Sequence, residues 1–258
     1  NLNKKKYLVA VSGGPDSLAL VALTKAYSYH KKVRFHYILV DHNIRKGSNQ
    51  EAKKVQKLLK KNQINLKIHL NKIKINKNIQ AEARNIRYEI LFNFCKKNKI
   101  KALLTAHNLE DQVETFFIRL SRGSGLKGLS AMKPLSKIDS QLSLFRPLLD
   151  VKKKFLIKIS KNIFGGYIKD PSNKNMRFLR TKVRNLKKPL ENSGISYEKI
   201  FRSIQNLSYS KSTLDEYLKK IFKDLINKKN SEIIINFKKY LDLNNDAKTA
   251  LINESIKQ

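Results

Sequence analysis

The sequence predicts an α/β fold: a doubly wound, mainly parallel sheet with helices on both faces, followed by a small, mostly helical C-terminal domain. Three observations carry that expectation. Short apolar runs alternate with stretches of helical periodicity over the first part of the chain, and such alternation builds parallel sheets through crossover connections. A Gly-Gly turn separates the first run from the first helix, where sheets of this kind bind ligands. Beyond the middle of the chain the strand signals thin out and helical patterning takes over.

Tyr7–Val11 is short, apolar and stopped by Gly13-Gly14, so it reads as a buried strand. The following helix has Leu18, Val21 and Ala22 at helical spacing. Val33–Val40 is a second strand, ending at Asp41-His42-Asn43. Ser48-Asn49-Gln50-Glu51 has the form of a capping box and opens a helix carrying Ala52, Val55, Leu58 and Leu59. Leu66–Leu70 alternates like a third strand. Ile79–Lys97 is helical, with Ile79, Ala83, Ile86, Ile90, Leu91 and Phe94 on one face. Ala102–Ala106 is a fourth strand, and Leu109–Arg122 the helix after it.

From Arg146 the character changes. Pro147–Asp150 precedes a basic helix over Val151–Asn162; Gly165-Gly166, the turn-rich Asp170–Asn173 and an Arg-bearing segment, Met176–Arg184, follow. Leu186–Gly194 reads as a linker. The division expected is an α/β domain over residues 1–188 and an accessory domain over 189–258. In the latter, Tyr197–Ile226 reads as one long helix or two, Glu232–Phe237 as a short strand, and Leu243–Lys257 as a polar helix.

Ser12-Gly13-Gly14-Pro15-Asp16-Ser17 is the centre of the site. Strand, Gly-Gly turn and helix together aim backbone N–H groups and a helix N-terminus at an anion. The glycines let the main chain come close to a phosphate, Pro15 fixes φ at the turn into the helix, and Ser12 and Ser17 add hydroxyl donors. No Lys-Ser/Thr follows the glycines, which excludes a Walker A loop, and the pattern is not G-x-G-x-x-G. An Asp stands where a phosphate-binding Lys is expected. A carboxylate beside a polyphosphate needs a cation between them, so Asp16 implies Mg²⁺. The first, second and fourth strands end at Ser12, Asp41 and His107, and these points are expected to converge.

The 55 Lys+Arg against 20 Asp+Glu give a formal charge of +35, which points to a polyanionic partner, nucleic acid above all. Lys outnumbers Arg about four to one, so part of this charge reflects compositional drift toward Lys, Asn and Ile. The single cysteine, Cys95, excludes an intrachain disulfide and a Cys-x-x-Cys metal or redox site, and its apolar helical setting makes it a core residue. With no apolar run of membrane-spanning length and no signal peptide, a soluble cytoplasmic protein is expected, its initiator Met either lost or not included before Asn1.

Asp41-His42 reads either as a nucleotide contact or as a strand-end Asx turn. Arg84 and Arg87 share a helix face and suit bidentate phosphate binding, or a solvated basic face. Glu110, Asp111 and Glu114 gather acid in a basic chain. Asp111 and Glu114 share a face at a helix start, where they favour the helix dipole and suit Mg²⁺ or a cationic substrate. Arg119–Gly125 with Gly128 is a basic, Gly-rich loop open to phosphate or simply to solvent.

Ser12–Ser17 resembles the pyrophosphate-binding loop of ATP pyrophosphatases. Taken with VDHNIRKGS and QEA, AEARNIRY, LLTAHNLEDQVETFFIRLSRGSGLKGLSAM, and RPLL with DPSNKNMRFLRTKVR, the chain from Val11 to about Arg184 resembles the tRNA(Ile)-lysidine synthetase family. The resemblance implies an adenine nucleotide α-hydrolase-like fold. It also implies ATP-dependent adenylation of C2 of the wobble cytidine of a CAU anticodon, after which the lysine ε-amine displaces AMP. On that resemblance Ser12, Gly13, Gly14, Pro15, Asp16, Ser17, Asp41 and His42 hold ATP, and Asp16 holds Mg²⁺. Asp111 and Glu114 take the lysine amino group, and Asp16, Asp111 and His107 are the catalytic candidates, His107 as a base. Arg84, Arg122, Arg177, Arg180 and Arg184 meet phosphates of ATP or tRNA. The partners implied are an isoleucine tRNA with a CAU anticodon, free L-lysine and, as an open question, a second copy of the chain. Family members often carry a longer C-terminal region that grips the acceptor stem, so residues 189–258 are expected to form a reduced version.

Three alternatives compete. A tRNA thiolase of the same superfamily needs a cysteine pair or an iron–sulfur site, which a lone Cys95 argues against. A small-molecule ligase of the GMP or NAD synthetase kind fits poorly with the positive charge. A non-catalytic RNA-binding protein has no need of an intact SGGPDS and DQVET.

Overall fold

The computed structural model describes residues 5–44, 47–71, 73, 75, 79–168, 175–229 and 232–255. Strand β1 (Lys5–Val11) alternates its side chains between two cores. Val9 and Val11 face one, and Leu8 faces the other. This period of two places β1 inside a sheet covered on both faces. Helix α1 (Pro15–His30) crosses from it to β2 (Val33–Asp41), α2 (Ser48–Lys61) to β3 (Leu66–Leu70), and α3 (Ile79–Lys97) to β4 (Ala102–Leu104). β1 pairs in parallel with β2 and β4, and β2 with β3. The helix α4 (Leu109–Leu120) and the single turn α5 (Leu126–Leu129) lead to a hairpin, β5 (Leu135–Lys137) and β6 (Ser143–Phe145). β6 joins β4 in parallel, completing the order β3-β2-β1-β4-β6-β5. The alternating parallel reading therefore holds, with an antiparallel edge strand added. That edge went unread because three-residue strands are too short for periodicity to register.

One sheet face is covered by α1, α2 and α6 (Lys153–Phe164), whose Leu18, Val21, Val55, Leu59 and Leu156 are buried with the strands. The other is covered by α3 through Leu91 and Cys95. Burial pushes the Cys95 thiol up to about 12, so it is an inert core group, as expected. α1 shows why periodicity is weak there: Ser17 to Val21 are buried consecutively, the mark of a segment enclosed all round, while Leu23, Tyr27 and Tyr29 in its second half are exposed.

Three local expectations are corrected. The capping box at Ser48–Glu51 does not form: Gly47, left-handed at φ 90°, is the N-cap, and Ser48 is the first helical residue with an unpartnered hydroxyl. A glycine accepts that conformation where Ser would be strained. The Leu186–Gly194 linker contains a helix, α8 (Lys187–Asn192), following α7 (Leu179–Asn185), with Pro189 inside the first turn where no N–H is needed. A strand β7 (Ile226–Lys229) directly continues the long helix α9 (Tyr197–Leu225) and pairs with β8 (Glu232–Ile235). α10 (Phe237–Leu241) and α11 (Asn245–Ser255) follow. Asp170–Asn173 lies outside the described residues.

α9 belongs to two cores. Its first turns, through Tyr197, Ile200 and Ile204, pack on Leu109 and Val113 of α4. Its last turns, through Phe222 and Leu225, pack with Leu251 of α11. Among the described residues no helix is long and apolar enough to cross a membrane.

Candidate active site

The turn after β1 is shaped by its own hydroxyls. Ser12 donates from its backbone N–H and its Oγ to Ser17 Oγ, both at 3.1 Å, and Ser17 Oγ donates to the Gly14 carbonyl at 3.0 Å. The two serines thus brace the loop, and the backbone N–H groups are what it offers an anion. Gly13 sits at φ 81°, and a Cβ there would lie 2.5 Å from Val55 Cγ2. Both the left-handed turn and the close approach of α2 demand glycine. Ile168 N–H donates to the Gly13 carbonyl at 2.9 Å, closing the loop from the far side.

Three helix N-termini meet here. α4 is capped by Asn108, whose side chain accepts from Asp111 N–H at 2.9 Å while Asp111 Oδ2 accepts from Asn108 N–H at 3.1 Å. At the start of α6, Lys153 N–H donates to Glu110 Oε2 at 2.8 Å. α1 has Gly14 as its N-cap and Pro15 as its first residue, with no side-chain cap. Two of the three helix ends thus have backbone N–H groups capped by carboxylates of the chain, whereas α1, although Asp16 lies in its first turn, has no side chain capping its N–H groups, which suits them to an exogenous anion.

Asp16 lies in the first turn of α1. Its Oδ2 pairs with Lys153 Nζ at 3.4 Å, while Oδ1 is buried without a partner. Burial holds its carboxyl above the usual range; Lys153 opposes that shift, and nearby Asp111 adds to it. At the end of β2, Asp41 is buried and its Oδ1 accepts from Asn43 N–H at 3.0 Å, an Asx turn. Its Oδ2 is left unpartnered. Burial lowers the pKa of His42, with Arg87 acting in the same direction. His107, at the end of β4, has Nδ1 2.9 Å from Thr105 Oγ1, and burial lowers its pKa to about 4. It is a neutral imidazole and a weak base, mismatched by roughly six units to an alkylammonium proton.

The acidic cluster resolves into tethers. Glu114, 2% exposed, accepts from Arg184 Nε at 2.7 Å and Nη2 at 3.1 Å, and Arg180 Nε stands 3.2 Å from its Oε2. Arg180 Nη2 also reaches Thr115 Oγ1 at 3.1 Å. Glu114 and the arginines Arg180 and Arg184, read from sequence as contacts for two different ligands, are thus partners of each other. Their pairing fixes α7 against α4. Arg84 lies with its guanidinium carbon 5.1 Å from the Tyr88 ring centre, next to half-buried Arg87. Arg177 is exposed, and Arg122 is exposed in the turn just beyond the far end of α4, whose 12 residues span about 18 Å from the Asn108 cap.

The sequence reading missed Lys153, which looked like one of three lysines in a run. It also missed the far face of α4: Gln112 exchanges both amide hydrogen bonds with the Met132 backbone at 2.8 Å. Arg119 Nη1 donates to the Gly128 and Ala131 carbonyls, also at 2.8 Å. These clamps hold the Gly-rich loop after α4.

A Gly-Gly turn between β1 and α1, an uncapped helix end behind it and carboxylates around it define one class: the chain belongs to the PP-loop domain family, whose model matches residues 1–190. More particularly, it is similar to the tRNA(Ile)-lysidine synthase of Wolbachia pipientis wMel, 37% identical over 222 residues, covering 85% of this chain and 51% of that protein. The tRNA(Ile)-lysidine synthase of Orientia tsutsugamushi is 38% identical over 186 residues, covering 72% and 42%. The chain spans about half the length of the curated relatives it matches. Among solved structures, a U34-tRNA thiolase of Methanococcus maripaludis superposes with a TM-score of 0.67 at 21% identity, covering 80% of this chain and 73% of that one, which establishes a shared fold.

Proposed function

We propose that the chain adenylates C2 of the wobble cytidine in a CAU-anticodon isoleucine tRNA with ATP, and that the lysine ε-amine then displaces AMP to give lysidine. The observation that carries the chemistry is the uncapped N-terminus of α1 behind Gly13-Gly14, flanked by helix ends already capped from within. The similarity to tRNA(Ile)-lysidine synthases supports the substrate. The charge of +35 supports RNA.

In this reading the loop N–H groups and the α1 dipole bind the phosphates and stabilise the pyrophosphate as it leaves. Mg²⁺ fits the residues present: Asp16 offers a buried, unpartnered carboxylate oxygen, and magnesium is commonly held by one or two carboxylates plus phosphates rather than by a protein cage. Bound there it would offset the charge that builds on the leaving group. Asp41 and His42, at the neighbouring strand end, border the nucleotide. Asp111 and Glu114 draw the lysine ammonium; Arg180 and Arg184 must first give up Glu114, and anticodon phosphates are the ligand chemistry suited to draw them off. Loss of the amine proton has no strong base in His107, so desolvation is left as the means of lowering the amine's pKa. Arg84, Arg122 and Arg177 offer phosphate contacts that position the RNA, and residues 189–258 serve as its accessory arm.

The thiolase reading is weaker, since the lone Cys95 is buried and protonated. The assay is ATP-dependent incorporation of labelled lysine into an isoleucine tRNA transcript with a CAU anticodon, followed by mass analysis of the wobble nucleoside. Absence of lysidine from a chain that exchanges pyrophosphate on another substrate refutes the assignment.

A further inference from the structure

We propose that Lys153 is an exchangeable counter-ion serving two partners in turn: Asp16, with which it pairs in this structure, and the β- and γ-phosphates of a nucleotide on the loop. The inference rests on the ATP reading above and adds a contact that the loop motif does not contain. Phosphate loops of the Walker type carry their own lysine directly after the glycines. Here Asp16 stands near that place, and the ammonium comes from α6, more than a hundred residues away in sequence.

The geometry suits an exchange. The Lys153 backbone is fixed, its N–H held by Glu110 Oε2 at 2.8 Å, while Leu109 N–H holds the Val151 carbonyl at 3.1 Å. Its side chain is 35% exposed, and its ion pair with Asp16 is long at 3.4 Å and engages only one carboxylate oxygen. A lysine is a point charge on a flexible stem and can turn between anions without moving its helix. The charges also require it. Asp16 and Asp111 are close enough to repel one another, and a triphosphate adds about four more negative charges. A divalent cation on Asp16 makes the Lys153 pairing redundant just as the phosphates call for a donor.

The test uses the full chain and calorimetric binding of AMP, ATP and inorganic pyrophosphate with Mg²⁺, for wild type, Lys153→Gln and Lys153→Arg. Removal of one charge-assisted hydrogen bond should weaken ATP and pyrophosphate about ten- to a hundredfold in Lys153→Gln. AMP, which lacks the outer phosphates, should change less than about twofold by the same reasoning. Lys153→Arg should recover most of the loss. With no nucleotide present, Mn²⁺ followed by electron paramagnetic resonance should bind Lys153→Gln more tightly than wild type, because Asp16 is released. AMP weakened as much as ATP, or pyrophosphate unaffected, overturns the exchange and leaves Lys153 a scaffold residue. Wild type that binds none of the three overturns the ATP reading itself.

Discussion

Glu114→Gln tests the ion triad that fixes α7 to α4. The substitution keeps the shape of a side chain that is 2% exposed but removes the carboxylate that pairs with both Arg180 and Arg184, whose side chains are 37% and 34% exposed. Removing one partner of a fully buried pair costs about 3–5 kcal/mol. Both arginines retain a third of their exposure, so water screens what is left unpaired and about 2–3 kcal/mol is the expected loss. Guanidinium unfolding followed by circular dichroism should show that loss as a lower midpoint with an unchanged slope. Arg184→Leu in the same background should recover part of it, because the uncompensated charge is then gone. A midpoint shift worth less than about 0.5 kcal/mol, with no coupling in the double mutant, refutes the triad as a fixing element.

Three further expectations follow from the same geometry. Gly13→Ala meets both a left-handed backbone and Val55 Cγ2 at 2.5 Å; nucleotide binding by calorimetry should fall at least tenfold, and thermal stability should drop as α2 is pushed outward. Burial lowers the His107 pKa from 6.5 to about 4, so the unfolded chain takes up a proton that the folded one refuses. Stability is therefore full above 6.5 and is lost as pH falls toward 4, and in His107→Gln this acid limb should flatten in denaturant titrations. Arg119→Leu removes the clamp on the Gly128 and Ala131 carbonyls; faster amide exchange should appear across residues 122–131, while AMP affinity stays unchanged.

The strand ends at Ser12, Asp41 and His107 were legible because each follows an apolar run, and the sheet order brings β1 between β2 and β4. Gly13-Gly14 was legible because two glycines between strand and helix have a steric meaning. Ion partners were not legible. Glu114 and Arg184 are 70 residues apart, and nothing in either local sequence says they meet. The acidic residues of α4 suggested a receptor for a cation because their spacing puts them on a helix start. The structure adds that Glu110, Asp111 and Glu114 each already hold something: α6, their own helix cap, and α7. Lys153 was hidden for another reason, since in a chain with 55 basic residues a functional lysine has no contrast.

α9 has a mechanical consequence. Its first turns are embedded beside α4, the helix that carries Asp111 and Glu114, and its last turns lie in the core formed with α11. Its 29 residues make a stiff rod about 43 Å long. A tilt of about 5° after Ile204, where it leaves α4, displaces the far end by about 3 Å over the remaining length of about 32 Å. Small adjustments around α4 are magnified at the tip, and a load applied at the tip is returned, with leverage, to the acidic end of α4.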